Sequence, residues 1–160
     1  MTNAIQWKMP DGSIRITYPA GENADLDQIA AKLQSEHPEI ATATRLSDVD
    51  PAVDLPQSRR FRSCWRADGS GKPRVDMPLA RVQRLNEIRA ERNEKLRTSD
   101  GPMARENEIG TTGSAQAMKD YRQALRDLPN NLVDGGTLDA INTPEELEVF
   151  DPTWPTAPIL

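Results

Sequence analysis

Two stretches in the second half of the chain carry apolar residues at the period of an α-helix. The first covers residues 77–97 and has Pro78 in its first turn, where helices tolerate proline. The second covers residues 114–128, and its apolar positions follow i, i+3, i+4, i+7 spacing. They are Ala117, Met118, Tyr121, Ala124, Leu125 and Leu128. Because neither helix can bury its apolar stripe alone, we predict an antiparallel helical hairpin.

Helix-breaking residues separate and end these helices. Residues 99–102 and 110–113 are rich in glycine, serine, threonine and proline, so we predict a loop between the two helices. Residues 130–136 have the composition of a linker. A further short helix is expected to begin at the cap residue Thr143 and to end near Phe150.

Alternating positions near the N-terminus predict a β-sheet. Apolar and polar residues alternate on both sides of a turn signal at residues 10–12, which predicts a β-hairpin over residues 4–18. We expect Ile5, Trp7 and Tyr18 of this hairpin to contribute to a sheet core.

The segments after this hairpin predict one helix and further strands. Asp25 caps the helix, Gln28 stands where it would complete a capping box, and Pro38 ends the helix. The further strands are expected over residues 42–49, over residues 61–65 with Phe61, Ser63 and Trp65 on one face, and over residues 73–76 after a turn at 68–71.

Together these elements indicate an α+β fold with three parts. They are a small sheet-and-helix domain at 1–76, the helical hairpin at 77–129, and a linker with an extended tail at 130–160. Prolines in residues 151–158 predict an extended conformation that can lie along a surface at low entropic cost. Phe150 and Trp154 would anchor this tail, either on the chain's own hairpin or on another subunit.

Charge and hydropathy limit the classes of partner. No apolar run approaches the roughly 20 residues of a membrane helix, and residues 1–5 lack the features of a signal peptide, so no membrane partner is expected. The net charge is −5, yet residues 59–105 hold 13 Lys or Arg against 6 Asp or Glu. This basic centre could pair with the acidic flanks of the same chain or face another molecule. Nucleic acid is the less favoured partner, because the chain is acidic overall and has no groove-reading motif.

Few residues suit catalysis or metal binding. His37 is the only histidine and Cys64 the only cysteine, so the usual zinc sites, a catalytic triad and an internal disulfide lack their residues. Residues 69–72 lack the spacing of a phosphate-binding loop and are interpreted as a turn. We therefore predict a non-enzymatic protein without catalytic residues, cofactor or metal.

Three segments in the last half of the chain share the pattern of a known family. They are Arg89-Ala-Glu-Arg-Asn-Glu-Lys-Leu-Arg-Thr-Ser-Asp100, Tyr121-Arg-Gln-Ala-Leu-Arg-Asp-Leu-Pro129 and Trp154-Pro-Thr-Ala-Pro158. The family pattern reads R-x-x-R-x-x-L-L-x-x-S-D-W, then Y-R-Q-x-L-R-D-L-P, then W-P-x-x-P. On these residues the chain resembles the tail assembly chaperone family of tailed bacteriophages, mainly over residues 89–158. Gly101 stands where the family usually has an aromatic residue, which would leave the hairpin looser or completed by a partner.

The resemblance implies an accessory protein that helps a tail-fibre or other tail polypeptide to fold or attach. It would act in the host cytoplasm during assembly, and the alternative is a permanent component of the tail or baseplate that clamps the fibre in the virion. Self-association is left open. We expect the partner to contact Met118, Tyr121, Arg122, Leu125 and Trp154.

Overall fold

The computed structural model describes residues 3–21 and 24–159, and it confirms an α+β fold. The strands of these residues are β1 (Ile5–Lys8), β2 (Ile14–Thr17), β3 (Thr44–Arg45), β4 (Trp65–Ala67) and β5 (Pro73–Val75). The helices are α1 (Leu26–Glu36), α2 (Pro38–Ala41), α3 (Met77–Thr98), α4 (Asp100–Ile109), α5 (Thr112–Asp134) and α6 (Pro144–Val149). The chain divides into two compact units, Met1–Ala80 and Arg81–Leu160. The division into three parts stays a prediction.

The N-terminal unit is built on a three-stranded antiparallel sheet in the order β2-β1-β3. The predicted hairpin is confirmed, with Ile5 opposite Thr17. Ile5 and Trp7 on one face pack into a cluster with α1 and α2, whereas Ile14 and Ile16 pack into a second cluster with Trp65. The sheet is therefore covered on both faces, which explains why β1 is buried almost throughout.

Tyr18 does not join this core. It follows the last residue of β2 and is 52% exposed, so the prediction that it contributes to the sheet core is wrong. The alternating apolar pattern in the sequence extends to Tyr18, whereas the strand β2 ends at Thr17.

The helix predicted at Asp25 is confirmed. The Asp25 carboxylate accepts hydrogen bonds from the backbone N–H groups of Asp27 and Gln28, at 3.0 and 3.1 Å. The helix ends before Pro38, as expected, but Pro38 opens α2, because proline is suited to a first helical turn. The strand predicted over residues 42–49 is reduced to β3 and one isolated bridge between Ala4 and Val49.

The strand predicted over residues 61–65 is wrong except at its last residue, because the strand before the turn at 68–71, β4, begins at Trp65. Residues Arg62–Cys64 form a 3₁₀-helix, closed by a 2.9 Å hydrogen bond from the N–H of Cys64 to the carbonyl of Phe61. Cys64 and Trp65 are both buried although they are neighbours, because the 3₁₀-helix ends at Cys64 and the strand begins at Trp65. The predicted turn at 68–71 is confirmed; it joins β4 to β5, and Gly71 has φ 85°, a conformation that favours glycine.

The two long helices of the predicted hairpin are confirmed, and hydrogen bonds show their direction. Arg122 of α5 donates to the carbonyl of Leu96 at 2.9 Å, and Arg92 of α3 donates to the carbonyl of Arg126 at 3.3 Å. Arg92 precedes Leu96 by one helical turn, whereas Arg126 follows Arg122 by one turn. The helices therefore run antiparallel.

The loop predicted between these helices is wrong, because α4 occupies most of it. Gly101 and Pro102 are the second and third residues of α4, where backbone N–H groups have no intrahelical acceptor and proline is tolerated. The connection to α5 is only Gly110 and Thr111, and Thr111 forms a reciprocal capping box with Ser114.

The second long helix also extends further than predicted. Pro129 lies inside α5, and the segment 130–136 interpreted as a linker begins with five helical residues. Proline removes the hydrogen bond to the Leu125 carbonyl. Burial of Leu125, Pro129 and Leu132 along one face holds the helix together through that position. Among the helices of the described residues, none is long and apolar enough to cross a membrane.

Candidate partner-binding surface

The extended C-terminal tail lies along α3 of its own unit. Arg84 donates to the carbonyl of Phe150, and Nζ of Lys95 lies 4.8 Å from the centroid of the Trp154 ring. Since Arg84 precedes Lys95 and Phe150 precedes Trp154, the tail runs in the same direction as α3. Of the two predicted positions for the tail, the structure has the one on the chain's own helices. The helix predicted at Thr143 is also confirmed, because the Thr143 hydroxyl accepts from the N–H of Glu146.

Two arginines near the start of α3 hold the segment that follows α5. Arg81 donates to the carbonyl of Ile141 through Nε and Nη2, at 3.2 and 2.8 Å. Arg84 has a side chain only 5% exposed, and its Nη1 lies 3.1 Å from a carboxylate oxygen of Glu91 and 3.4 Å from one of Glu87. A buried guanidinium is stable only when it is paired and fully hydrogen-bonded. Arg81 and Arg84 therefore bind groups of the same chain.

The basic centre thus forms ion pairs within the chain, mainly along α3. Besides the pairs of Arg84, Nη2 of Arg97 lies 2.6 Å from a carboxylate oxygen of Glu94. Charge-assisted hydrogen bonding to Arg97 lowers the pKa of Glu94 below its usual value. These pairs lie within α3 itself, so part of the basic centre is neutralised by its own glutamates.

Arg122 is fixed at the junction of α3 and α4. Its Nη1 lies 2.9 Å from the Leu96 carbonyl, 2.5 Å from the Ser99 hydroxyl and 2.8 Å from a carboxylate oxygen of Asp100. The last carbonyls of a helix lack intrahelical donors, so Arg122 caps the end of α3 from another helix. Through its ion pair with Asp100, Arg122 also binds the first turn of α4.

The predicted contact residues differ in accessibility. Met118 is 3% exposed and Leu125 is fully buried, so both face the interior of the protein. Tyr121, Arg122 and Trp154 are partly exposed. Their shared role in binding a partner stays a prediction. Gly101 is exposed, and an added Cβ there would meet nothing within 4 Å, so the absence of a side chain at this position leaves no cavity between packed side chains.

Sequence reasoning missed a groove between α4 and α5. It has a volume of about 330 Å³ and lies at the low end of the range for ligand pockets. Its lining consists of Met103, Gln116, Lys119, Asp120, Arg122, Gln123 and Arg126. One polar face of α5 contributes five of them at helical spacing: Gln116, Lys119, Asp120, Gln123 and Arg126. This spacing is the sequence signal from which the groove could have been predicted.

Other sequence features occupy ordinary structural positions. The His37 ring is half-exposed, with Nδ1 3.6 Å from a carboxylate oxygen of Glu39. Cys64 is buried, and residues 69–72 belong to the turn between β4 and β5. Within residues 3–21 and 24–159, no three His, Cys, Asp or Glu side chains are grouped so that they could hold a metal ion.

Comparison with protein families gives a match to the C-terminal part of the chain. Residues 85–159 match the family described as phage tail assembly chaperone protein. This segment includes the contacts between the two long helices, the groove and the tail. Comparison with curated proteins and with solved structures gave no significant match. The resemblance predicted from residues 89–158 is therefore confirmed over a segment of nearly the same extent. Through this C-terminal segment, the chain is similar to the phage tail assembly chaperone proteins.

Proposed function

We propose that this protein is a non-enzymatic chaperone or adaptor that binds a tail-fibre or other tail polypeptide and supports its folding or attachment. The observation that carries the proposal is the family match over residues 85–159. A protein of this kind acts in the host cytoplasm while the tail is assembled.

The physical task is to cover surfaces that would otherwise aggregate. Fibre polypeptides expose apolar patches and strand edges before they assemble, and such surfaces associate non-specifically. The C-terminal unit offers partly exposed rings at Tyr121 and Trp154. It also exposes apolar side chains on three helices, with Val82 56%, Val133 48% and Val149 80% exposed. These residues support contact with an apolar partner.

The alternative is a permanent tail component that clamps the fibre. The two functions differ in whether the protein stays with the virion. Mass spectrometry of purified virions separates them: a stoichiometric amount favours the permanent component, and depletion favours a chaperone that is released.

Co-expression with the neighbouring tail-fibre polypeptide tests the proposal. We expect the fibre to remain soluble and to co-elute in size-exclusion chromatography only when this protein is present. If each protein behaves identically alone and together, the proposal is wrong.

Variants of exposed residues test the predicted contacts. Tyr121→Ser and Trp154→Ser should reduce co-elution, whereas the exposed Arg89→Ser should not. Unfolding curves of the same variants identify any loss that is caused by instability. Met118 and Leu125 are less suitable because they are buried.

A further inference from the structure

The lining of the groove between α4 and α5 carries three cations, Lys119, Arg122 and Arg126, against one carboxylate, Asp120. Lys119 and Arg126 are both exposed, and neither has a carboxylate partner among the residues that the structure describes. Arg122 in the same groove differs, because it pairs with Asp100. The lining carboxylate, Asp120, accepts a 2.7 Å hydrogen bond from Gln116. The groove therefore has two available cations.

The spacing of these cations sets the chemistry of a ligand. Lys119 and Arg126 are seven residues apart on α5, which places them about 10 Å apart along the helix axis. Two carboxylates of a polypeptide lie on one side at a similar distance when they are three residues apart in a polyproline II segment or seven apart in a helix, at about 3.1 or 1.5 Å per residue. Met103 provides an apolar surface in the same groove.

We propose that this groove binds an acidic segment of a tail polypeptide, with one carboxylate on Lys119, another on Arg126 and an apolar side chain on Met103. This inference rests on the proposed function for the class of partner, and on the charge of the groove for the ligand. The volume of about 330 Å³ suits a few side chains of a longer segment. Arginine favours carboxylates because its guanidinium donates two parallel hydrogen bonds.

The same features make the groove testable without damage to the fold. Lys119 and Arg126 are exposed, so their substitution removes no observed ion pair. The probe is a fluorescein-labelled, terminally blocked peptide with glutamates at positions one, four and eight and a leucine between them. It offers the required spacing in either conformation. Its matched control has glutamine in place of each glutamate.

Fluorescence anisotropy of the full-length protein measures the binding. We expect the glutamate peptide to bind and the glutamine peptide not to bind, with affinity that falls as salt is added. Lys119→Glu with Arg126→Glu should weaken binding by about tenfold or more, as expected for two ion pairs of moderate strength. Arg89→Glu with Arg105→Glu makes the same change in net charge at exposed positions outside the groove and should leave binding unchanged.

Several results would overturn the inference. The wild-type protein fails to bind the peptide, or both double variants lose affinity equally, or an oligonucleotide of equal charge binds as tightly. Light scattering, which measures the oligomeric state, could also overturn the inference. A dimer that only the groove variant abolishes would identify a second copy of this chain as the occupant of the groove. Peptide binding without fibre co-elution would reject the proposed function alone, whereas co-elution unaffected by the groove variant would reject this inference alone.

Discussion

The guanidinium of Arg84 holds the carbonyl oxygen of Phe150 with two hydrogen bonds, from Nε at 3.2 Å and from Nη2 at 2.7 Å. Phe150 ends α6 and begins the extended tail. The third nitrogen of the same guanidinium meets Glu87 and Glu91 on α3. A single buried side chain thus joins the first turns of α3 to the start of the tail.

Arg84→Lys should destabilise the protein. Lysine keeps the charge but cannot donate to Phe150 through two nitrogens and reach the glutamates at once. We expect the free energy of unfolding to fall by about 1.5–3 kcal/mol, as for other lost hydrogen bonds to charged groups. Urea unfolding measures this change. The exposed Arg89→Lys is the control and should stay within about 0.5 kcal/mol; equal stability of the two variants would show that the Phe150 contact is unimportant.

Trp154→Ala should loosen the tail. The substitution removes the ring beneath the Lys95 ammonium, a cation–π contact of about 0.5–1 kcal/mol at such positions, together with the burial of the ring. We expect limited proteolysis to cleave within residues 151–158 faster than in the wild type. Trp154→Phe keeps an aromatic face and should be cleaved at an intermediate rate. Identical cleavage of all three proteins would contradict an anchoring role.

Two glycines, Gly101 in the first turn of α4 and Gly110 at its C-cap, should respond oppositely to substitution by alanine. At Gly110, an added Cβ would lie 2.5 Å from the carbonyl oxygen and 2.8 Å from the Cα of Glu106, so the backbone must shift. We expect Gly110→Ala to destabilise by about 1–3 kcal/mol, which is typical of steric overpacking. Gly101 has open space around it and is helical, so Gly101→Ala should stabilise by up to about 1 kcal/mol. Thermal unfolding tests both, and changes of the same sign would refute the argument.

The stability of the N-terminal unit should fall in acid, partly through Asp54. The hydrogen bond from the Lys72 ammonium, followed by the one from the Asp50 N–H, lowers the pKa of Asp54 below its usual value. Because the folded state binds this proton less tightly than the unfolded state, the contribution is present above the ordinary aspartate pKa, about 3.9. It is lost as the pH falls through the lowered value. Asp54→Asn should flatten this part of the profile, measured by urea unfolding between neutral pH and strong acid; an unchanged profile would count against it.

Local patterns predicted the elements whose causes are local. The caps at Asp25 and Thr143 are confirmed because a capping oxygen needs only N–H groups two or three residues away. The long helices are confirmed because part of the apolar pattern is buried: Met118 and Leu125 of α5 pack inside, whereas Ala117 and Ala124 of the predicted stripe are exposed.

The wrong predictions concern residues that are compatible with more than one local structure. Gly101 and Pro102 signal a break, but they also fit the first turn of a new helix, so α4 was missed. Pro129 signals an end, but α5 continues through it on the strength of packing. Tyr18 continues an alternating pattern past the end of its strand.

The sequence by itself determined the α+β class, the positions of the caps, the two long helices and the family resemblance over residues 89–158, because each depends on residues close together in the chain or on a recognisable motif. Only the tertiary structure decided that Arg84 holds Phe150, a residue 66 positions away, and that Lys119 and Arg126 line a groove beside α4. Such contacts depend on the path of the chain between them. Many alternative pairings of arginines with carboxylates and carbonyls satisfy the same composition, and packing selects one.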